Sequence, residues 1–274
     1  MNKEDFFISK ISKDSKVIGD DGAFIDNFVY SQDAFFENIH FKKSWFSLEQ
    51  IAKKSMLVNI SDAIAMNAKP KYALITLAIP KNYTREMLEE LADGFLEVAK
   101  QFNIDIIGGD TIANSKLDIS ITIISKTKNP IYRKGLKRGN LLAYSGFLGE
   151  SKRDLNRLFK GFKISKDSKF IEPKLHDEFF YKISKYVTCA LDISDGLFFE
   201  LDRIGKLNRL SFDFFEKIDK SIGTSGEEYE LLFGFDKRYR AKIENLAKKY
   251  RVKLTIFAKA KRGRYKNSSK NHHF

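Results

Sequence analysis

Two successive runs of interleaved helix-like and strand-like segments, parted by a polar, glycine-bearing stretch at Asn129–Asn140, predict an α/β (α+β) protein of two domains, residues 1–130 and 131–274. Hydrophobic residues are 43% of the 274 and run through the whole length, enough for a sizeable core. The longest apolar stretches, such as Tyr72–Pro80 and Leu117–Ser125, are strand-sized and fall short of the ~20 residues a membrane helix needs.

Each element has its own signal. Lys3–Ile11 reads as a short helix, and Ala23–Phe41 alternates like two strands turning at Asn27. In Ser47–Met66, Leu48, Ile51, Ser55, Val58 and Asp62 recur at helical spacing, and Ser47 with Gln50 forms a capping box at the start. Tyr72–Ile79 is a strand closed by Pro80, and Arg85–Phe102 is an amphipathic helix with Leu88, Leu91, Phe95 and Val98 on one face. Leu117–Ile124 alternates Leu117, Ile119, Ile121 and Ile123 with Asp118, Ser120 and Thr122, as a half-buried strand does. The second half predicts strand Leu141–Ser145, helices Lys152–Phe159 and Asp177–Tyr186, strand Thr188–Ile193, helix Gly196–Leu207, strand Tyr229–Phe235, helix Arg238–Tyr250 and strand Val252–Ala260.

Composition removes several function classes. A net charge of +13 invites a nucleic-acid partner, yet the lysines are scattered and only Lys259–Lys270 concentrates them, so no nucleic acid and no membrane is expected. The single cysteine, Cys189, and four scattered histidines offer neither a disulfide nor zinc spacing. The opening MNKEDFFISK mixes charges among its apolar residues, unlike a secretory signal, so a cytoplasmic location is expected.

No G-x-x-x-x-G-K-[ST] and no G-x-G-x-x-G occurs, which leaves a P-loop or a dinucleotide fold without support. Instead, aspartates recur in what read as polar, glycine-marked turns: Gly19-Asp20-Asp21, Ser31-Gln32-Asp33, Asn59-Ile60-Ser61-Asp62, Gly108-Gly109-Asp110-Thr111 and Asp192-Ile193-Ser194-Asp195-Gly196. Carboxylate oxygens are what Mg²⁺ prefers, and Mg²⁺ bridges protein carboxylates to substrate phosphates. Each aspartate alone is more often a turn former or a helix cap than a ligand, as Asp195 before Gly196-Leu197 illustrates. Asp62 is harder to explain that way, because a carboxylate inside an apolar helical pattern is costly unless paired or metal-bound.

These residues carry a resemblance. IGDDGAFI, SQDAFFENIHF, VNISDAIAMNAKP, IIGGDT, YRKGLKRGNLLAYSGFLGES, ALDISDGL and SGEEYELLF stand in the order and approximate spacing of the thiamine-monophosphate kinase motifs, from about Ile18 to Phe233. That family is related to aminoimidazole-ribonucleotide synthetase and selenophosphate synthetase. The resemblance implies a two-domain aminoimidazole-ribonucleotide-synthetase-like fold, each domain a mixed sheet packed with helices, the first binding ATP and Mg²⁺. Carried over by motif, it implies that Asp21, Ser31, Gln32, Asp33, Asp62, Asp110, Asp192 and Asp195 hold magnesium. Gly109, Asp110, Arg133 and Ser194 would contact ATP, and His40 and Glu227 would face thiamine phosphate. A homodimer is implied as well. On the residues alone, His40 also reads as a packed histidine ending a strand, and Arg133 as a linker charge.

The chain departs from the family in several places. Gln32 stands where the family has Ser or Thr, and Glu227-Glu228 replaces the usual Glu-Asp. The length is reduced around Gly161–Leu175 and Asn208–Gly223, and the end reads Asn271-His272-His273-Phe274 where an aromatic residue usually packs on the thiamine. The Michaelis constant for thiamine phosphate is therefore expected to be raised unless another ring, such as Tyr265 or Phe274, fills the place. The expected reaction is ATP-dependent phosphorylation of thiamine monophosphate by in-line transfer, with no covalent nucleophile. The competing readings are another ATP-using enzyme of the same superfamily and a basic nucleotide- or nucleic-acid-binding module without turnover.

Overall fold

The computed structural model of the chain describes residues 3–13, 15 and 17–267. After a short helix α1 (Lys3–Ile11), strands β1 (Ala23–Ile25), β2 (Phe28–Phe36), β3 (Lys69–Pro80), β4 (Asp105–Asn114) and β5 (Asp118–Lys126) form one sheet in the order β1-β2-β5-β3-β4. Asp26 and Asn27 both take positive φ, +50° and +67°, the backbone of a two-residue hairpin that Asp and Asn tolerate. Helix α2 (Leu48–Ala65) follows β2, and helix α3 (Arg85–Phe102) joins β3 to β4. That helical crossover lets β3 and β4 run parallel, while the other pairs are antiparallel.

The second sheet, β7-β9-β6-β10-β8, comes from β6 (Leu141–Ser145), β7 (Val187–Asp192), β8 (Leu210–Phe214), β9 (Leu231–Phe235) and β10 (Leu254–Arg262). Every pair in it is antiparallel, so only the first sheet is mixed in direction. Helices α4 (Glu150–Phe159), α5 (Asp177–Ile183), α6 (Leu197–Asn208), α7 (Lys220–Gly223) and α8 (Arg240–Lys249) complete the chain. The expected helices at 177–186 and 238–250 each include one turn of 3₁₀ geometry, at Ser184–Tyr186 and Lys237–Tyr239. No helix among the described residues is long and apolar enough to cross a membrane.

Helix α2 decides where the chemistry goes. Ser47 caps it through Gln50 as the sequence predicts, with both hydrogen bonds of the capping box formed. It packs on β2 and β5 of the first sheet and on β7 of the second, so it is covered on nearly every side. Ile51, Met56, Ile60 and Ile64 are at most 1% exposed, each contributing about 1.5–3 kcal/mol of burial. The large apolar cluster runs through α2 from Ile119 and Ile121 on one sheet to Phe233 and Phe235 on the other. The two sheets therefore share one core, and the buried polar side chains of α2, Lys54, Ser55, Asn59 and Ser61, lie inside it.

Candidate active site

Four carboxylates from four separate segments meet beside the end of α2. Asp33 lies within β2, Asp62 in the last turn of α2, Asp192 at the end of β7 and Asp21 in the loop before β1. One oxygen from each of Asp21, Asp62 and Asp192 lies within 4.8 Å of the others. Ser61 Oγ donates to Asp192 Oδ2 at 2.8 Å, and Asp21 Oδ2 is buried without a hydrogen-bond partner. Burial and then mutual repulsion raise these groups: Asp62 feels Asp33, Asp192 and Asp21, and Asp192 feels Asp21 and Glu200. Asp33 is pushed up to about 6 by burial, Glu227 and Asp21. An all-oxygen donor set under this repulsion fits a hard divalent cation such as Mg²⁺.

Two arginines border the cluster. Arg133 donates through Nε (3.0 Å) and Nη2 (2.5 Å) to Asp21 Oδ1, and its backbone N–H donates to Asp20 Oδ1 at 2.6 Å. Arg203 Nη2 donates to Asp195 Oδ2 at 2.9 Å, and its Nη1 to Glu200 Oε2 at 3.1 Å. Glu200 is fully buried and rises to about 7 despite Arg203.

The acidic cluster lines a cavity of about 720 Å³ together with Arg133, Arg203, Ser194 and Tyr229. A second cavity of about 480 Å³ adjoins it, walled by Trp45, Phe159, Leu155, Phe170, Lys42 and Lys152. Trp45 and Phe159 meet edge to face with centroids 5.1 Å apart, and Lys42 lies over both rings. His40 and Glu227 belong to both cavities. His40 Nδ1 accepts the Phe36 N–H at 2.9 Å and its ring stacks on Phe35, which leaves Nε2 as the protonated nitrogen of the neutral ring. Glu227 sits at φ +57°, a left-handed backbone unusual for its type, with its N–H on Ser194 O at 2.7 Å.

Residues 19–127 match the family described as AIR synthase related protein, N-terminal domain. The thiamine-monophosphate kinase of Rhodopirellula baltica is 31% identical, over 79% of this chain and 74% of the relative. That of Buchnera aphidicola subsp. Schizaphis graminum is 30% identical, over 91% and 87%. The chain belongs to the thiamine-monophosphate kinase family. Its fold is similar to that of the solved structure described as AaThiL complexed with AMPPCP and TMP, with a TM-score of 0.89 at 23% identity over 100% and 99% of the two chains.

Against the motifs of the thiamine-monophosphate kinase family, Asp21, Asp33, Asp62, Asp192, Asp195, Arg133, Ser194, His40 and Glu227 all border the paired cavities. Gln32 does too, but its amide oxygen accepts from Thr122 Oγ1 at 3.0 Å, across to β5. Ser31 is buried and donates to Asn59 O at 3.3 Å.

Gly109 and Asp110 stand apart. The segment Gly108–Thr111 is not a turn but the middle of β4, an exposed edge strand. Asp110 pairs with Thr76, Thr76 with Ser120 and Ser120 with Ala34, so Asp110 is three strand spacings, ~14 Å, from the strand bearing Asp33. Asp192, Asp33 and Asp62 likewise sit on regular elements instead of turns. Gly109 has a separate reason to be glycine: at φ +150°, a Cβ there would lie 1.7 Å from Ile75 O on β3.

The aromatic assignment changes as well. Tyr265 packs on Phe212 (5.3 Å between centroids) and Phe214 in the second apolar cluster and borders neither cavity, while Phe274 lies outside the described residues. Trp45 and Phe159 form the aromatic wall of the second cavity, and no motif in the sequence marks them, Arg203 or Lys54. Lys54 has one available signal, a second consecutive lysine that falls beside the apolar stripe of its helix.

Proposed function

We propose that the chain transfers the γ-phosphoryl group of ATP to the phosphate of thiamine monophosphate in one in-line displacement, giving thiamine diphosphate and ADP. The observation that carries this is the convergence of Asp21, Asp33, Asp62 and Asp192 next to an aromatic-walled cavity, with His40 and Glu227 on the shared wall. The names of its relatives favour the same reaction. Asp21, Asp33, Asp62 and Asp192 would hold magnesium, whose charge offsets the repulsion between donor and acceptor phosphates.

The remaining roles belong to the chain's own side chains. Arg133 presents a planar fork to phosphate oxygens from the edge of the acidic cavity. Ser194 lines both cavities where ATP and acceptor would meet. The acceptor, a phosphate monoester, is largely dianionic at pH 7 and needs no general base, so His40 serves to shape the wall. A cationic ring entering the second cavity would take the place of the Lys42 ammonium against Trp45 and Phe159. Trp45→Ala is expected to raise the acceptor KM roughly 2–30-fold, the span of about 0.5–2 kcal/mol for a cation–π contact, with the ATP KM unchanged in steady-state kinetics.

The same reading includes a homodimer, in which a second copy's β4 brings its Asp110 and Gly109 to the acidic cavity. It is supported by the exposed apolar side chains of that edge, Ile106, Ile107 and Ile112, and by the distance of Asp110 from Asp33 within one chain. A coupled assay for ADP, run with thiamine monophosphate, thiamine and other phosphate monoesters, tests the reaction. ADP release only with thiamine monophosphate is expected, and release that another monoester alone supports would assign the site to a different acceptor.

A further inference from the structure

Lys54 is fully buried between the two sheets, 0% exposed, and is the one charged side chain among the buried residues of α2. A lysine there is costly unless its charge is met. Three rings surround the ammonium, Phe170 at 4.0 Å, Phe46 at 5.6 Å and Phe35 at 5.8 Å from Nζ to centroid. One carboxylate reaches it: Glu227 Oε2, 2.9 Å from Nζ. At that distance the pair is a close ion pair of a buried ammonium and a carboxylate. Glu227 Oε1 accepts the Tyr229 hydroxyl at 2.9 Å. Both residues of that loop take left-handed backbone, φ +57° for Glu227 and +52° for Tyr229.

We propose that Lys54 is a positioning residue that fixes Glu227 as an anion on the wall shared by the two cavities, so that the acceptor cavity selects a cationic acceptor. The proposal rests on the reading of the second cavity as the acceptor site. Glu227 is the group exposed to ligand, with its side chain 25% accessible, whereas Lys54 is sealed behind it by Phe35, Phe46 and Phe170. Lys54 thus acts only through Glu227. Burial by itself would push the Glu227 carboxyl up, but the Lys54 ammonium, the Tyr229 hydroxyl and His40 together outweigh it and hold the carboxyl below the usual carboxylate range. The rings supply attraction without competing donors or acceptors, so the ammonium's charge stays directed at one carboxylate.

Kinetics of four proteins test this: wild type, Lys54→Met, Glu227→Gln and the double variant. Lys54→Met should raise the KM for thiamine monophosphate on the order of tenfold and leave the ATP KM within about twofold. Glu227→Gln should do the same, and the double variant should be no worse than Glu227→Gln alone. An unchanged acceptor KM in Lys54→Met, an equal rise for both substrates, or multiplied effects in the double variant would each overturn the proposal. Should either single variant not fold, the double variant, which strands no charge, decides by comparison with wild type: a raised acceptor KM with the ATP KM unchanged supports the proposal, and an unchanged acceptor KM overturns it. A crystal structure of Lys54→Met, or of the double variant beside Glu227→Gln if the single fails, gives a readout free of substrate. The side chain at 227 should leave Tyr229 when Lys54 alone is lost, and in the second comparison it should occupy the same place in both. A retained contact in the first, or a shift between the two in the second, would contradict the positioning role. Failure of the wild type to turn over thiamine monophosphate would instead overturn the reaction reading, with the crystal structures still judging Lys54.

Discussion

Replacing Asp62 by Asn is expected to lower turnover by about 10³-fold or more while making the metal-free protein melt at a higher temperature. Asn keeps the size and hydrogen-bonding capacity of Asp, so a residue serving only as a cap or turn former would tolerate the change. At Asp62 the charge itself is at stake, because Asp33, Asp192 and Asp21 all press on it in a buried space. Removing it relieves repulsion in the folded state and withdraws a ligand from the proposed metal site. The pH dependence has a definite sign. These carboxyls have raised pKa values in the folded protein, so the folded state binds protons more readily than the unfolded state, and stability is lost as pH rises. For Asp33 the window runs from the ordinary carboxylate range up to about 6. The metal-free wild type should therefore gain stability between pH 7 and pH 5, and Asp62→Asn should gain less, with differences of a few degrees in Tm. A variant of normal activity, or one that melts lower than wild type at pH 7, would return Asp62 to a structural role.

Mixing two inactive variants is expected to restore activity. On the proposed dimer, Asp62→Asn and Asp110→Asn should each be inactive alone, because each would spoil both sites where β4 of one copy completes the cluster of the other. In a mixed dimer, one site combines the intact Asp62 of one copy with the intact Asp110 of the other. Random exchange makes half the dimers mixed, and half the sites in those are intact, so about a quarter of wild-type turnover should return. Ile107→Lys places a charge on the exposed β4 edge, where Ile107 is 53% accessible, and should yield a folded monomer with turnover reduced ~100-fold. Size-exclusion chromatography with light scattering, run beside the assay, checks both. No recovery on mixing, or a fully active monomer, would place Asp110 outside the reaction.

Local order was legible wherever a periodicity or a cap existed. The bounds of α3, Arg85–Phe102, follow from its apolar stripe, and those of α2 from Ser47 and Gln50. β4 was lost because its exposed residues carry no burial pattern and its paired glycines imitate a turn. β8 and α7 were lost because they are short and fall in the segment where this chain is reduced. The site shows the same division. Aspartates can be found singly in a sequence, but their convergence depends on α2 lying between two sheets, which no local signal encodes. Only the ordered motifs anticipated it. Lys54 escaped because a lysine in a helical pattern ordinarily faces water, and its partner Glu227 is 173 residues away in sequence.

The reaction itself is tested most directly by ³¹P NMR of wild type and Asp62→Asn, each incubated with ATP, Mg²⁺ and thiamine monophosphate. With wild type, the thiamine monophosphate resonance should give way to the two resonances of thiamine diphosphate, in step with the appearance of ADP, and with Asp62→Asn the spectrum should stay constant. ADP accompanied by free phosphate instead of thiamine diphosphate, or equal conversion by the two proteins, would contradict phosphoryl transfer at this acidic site.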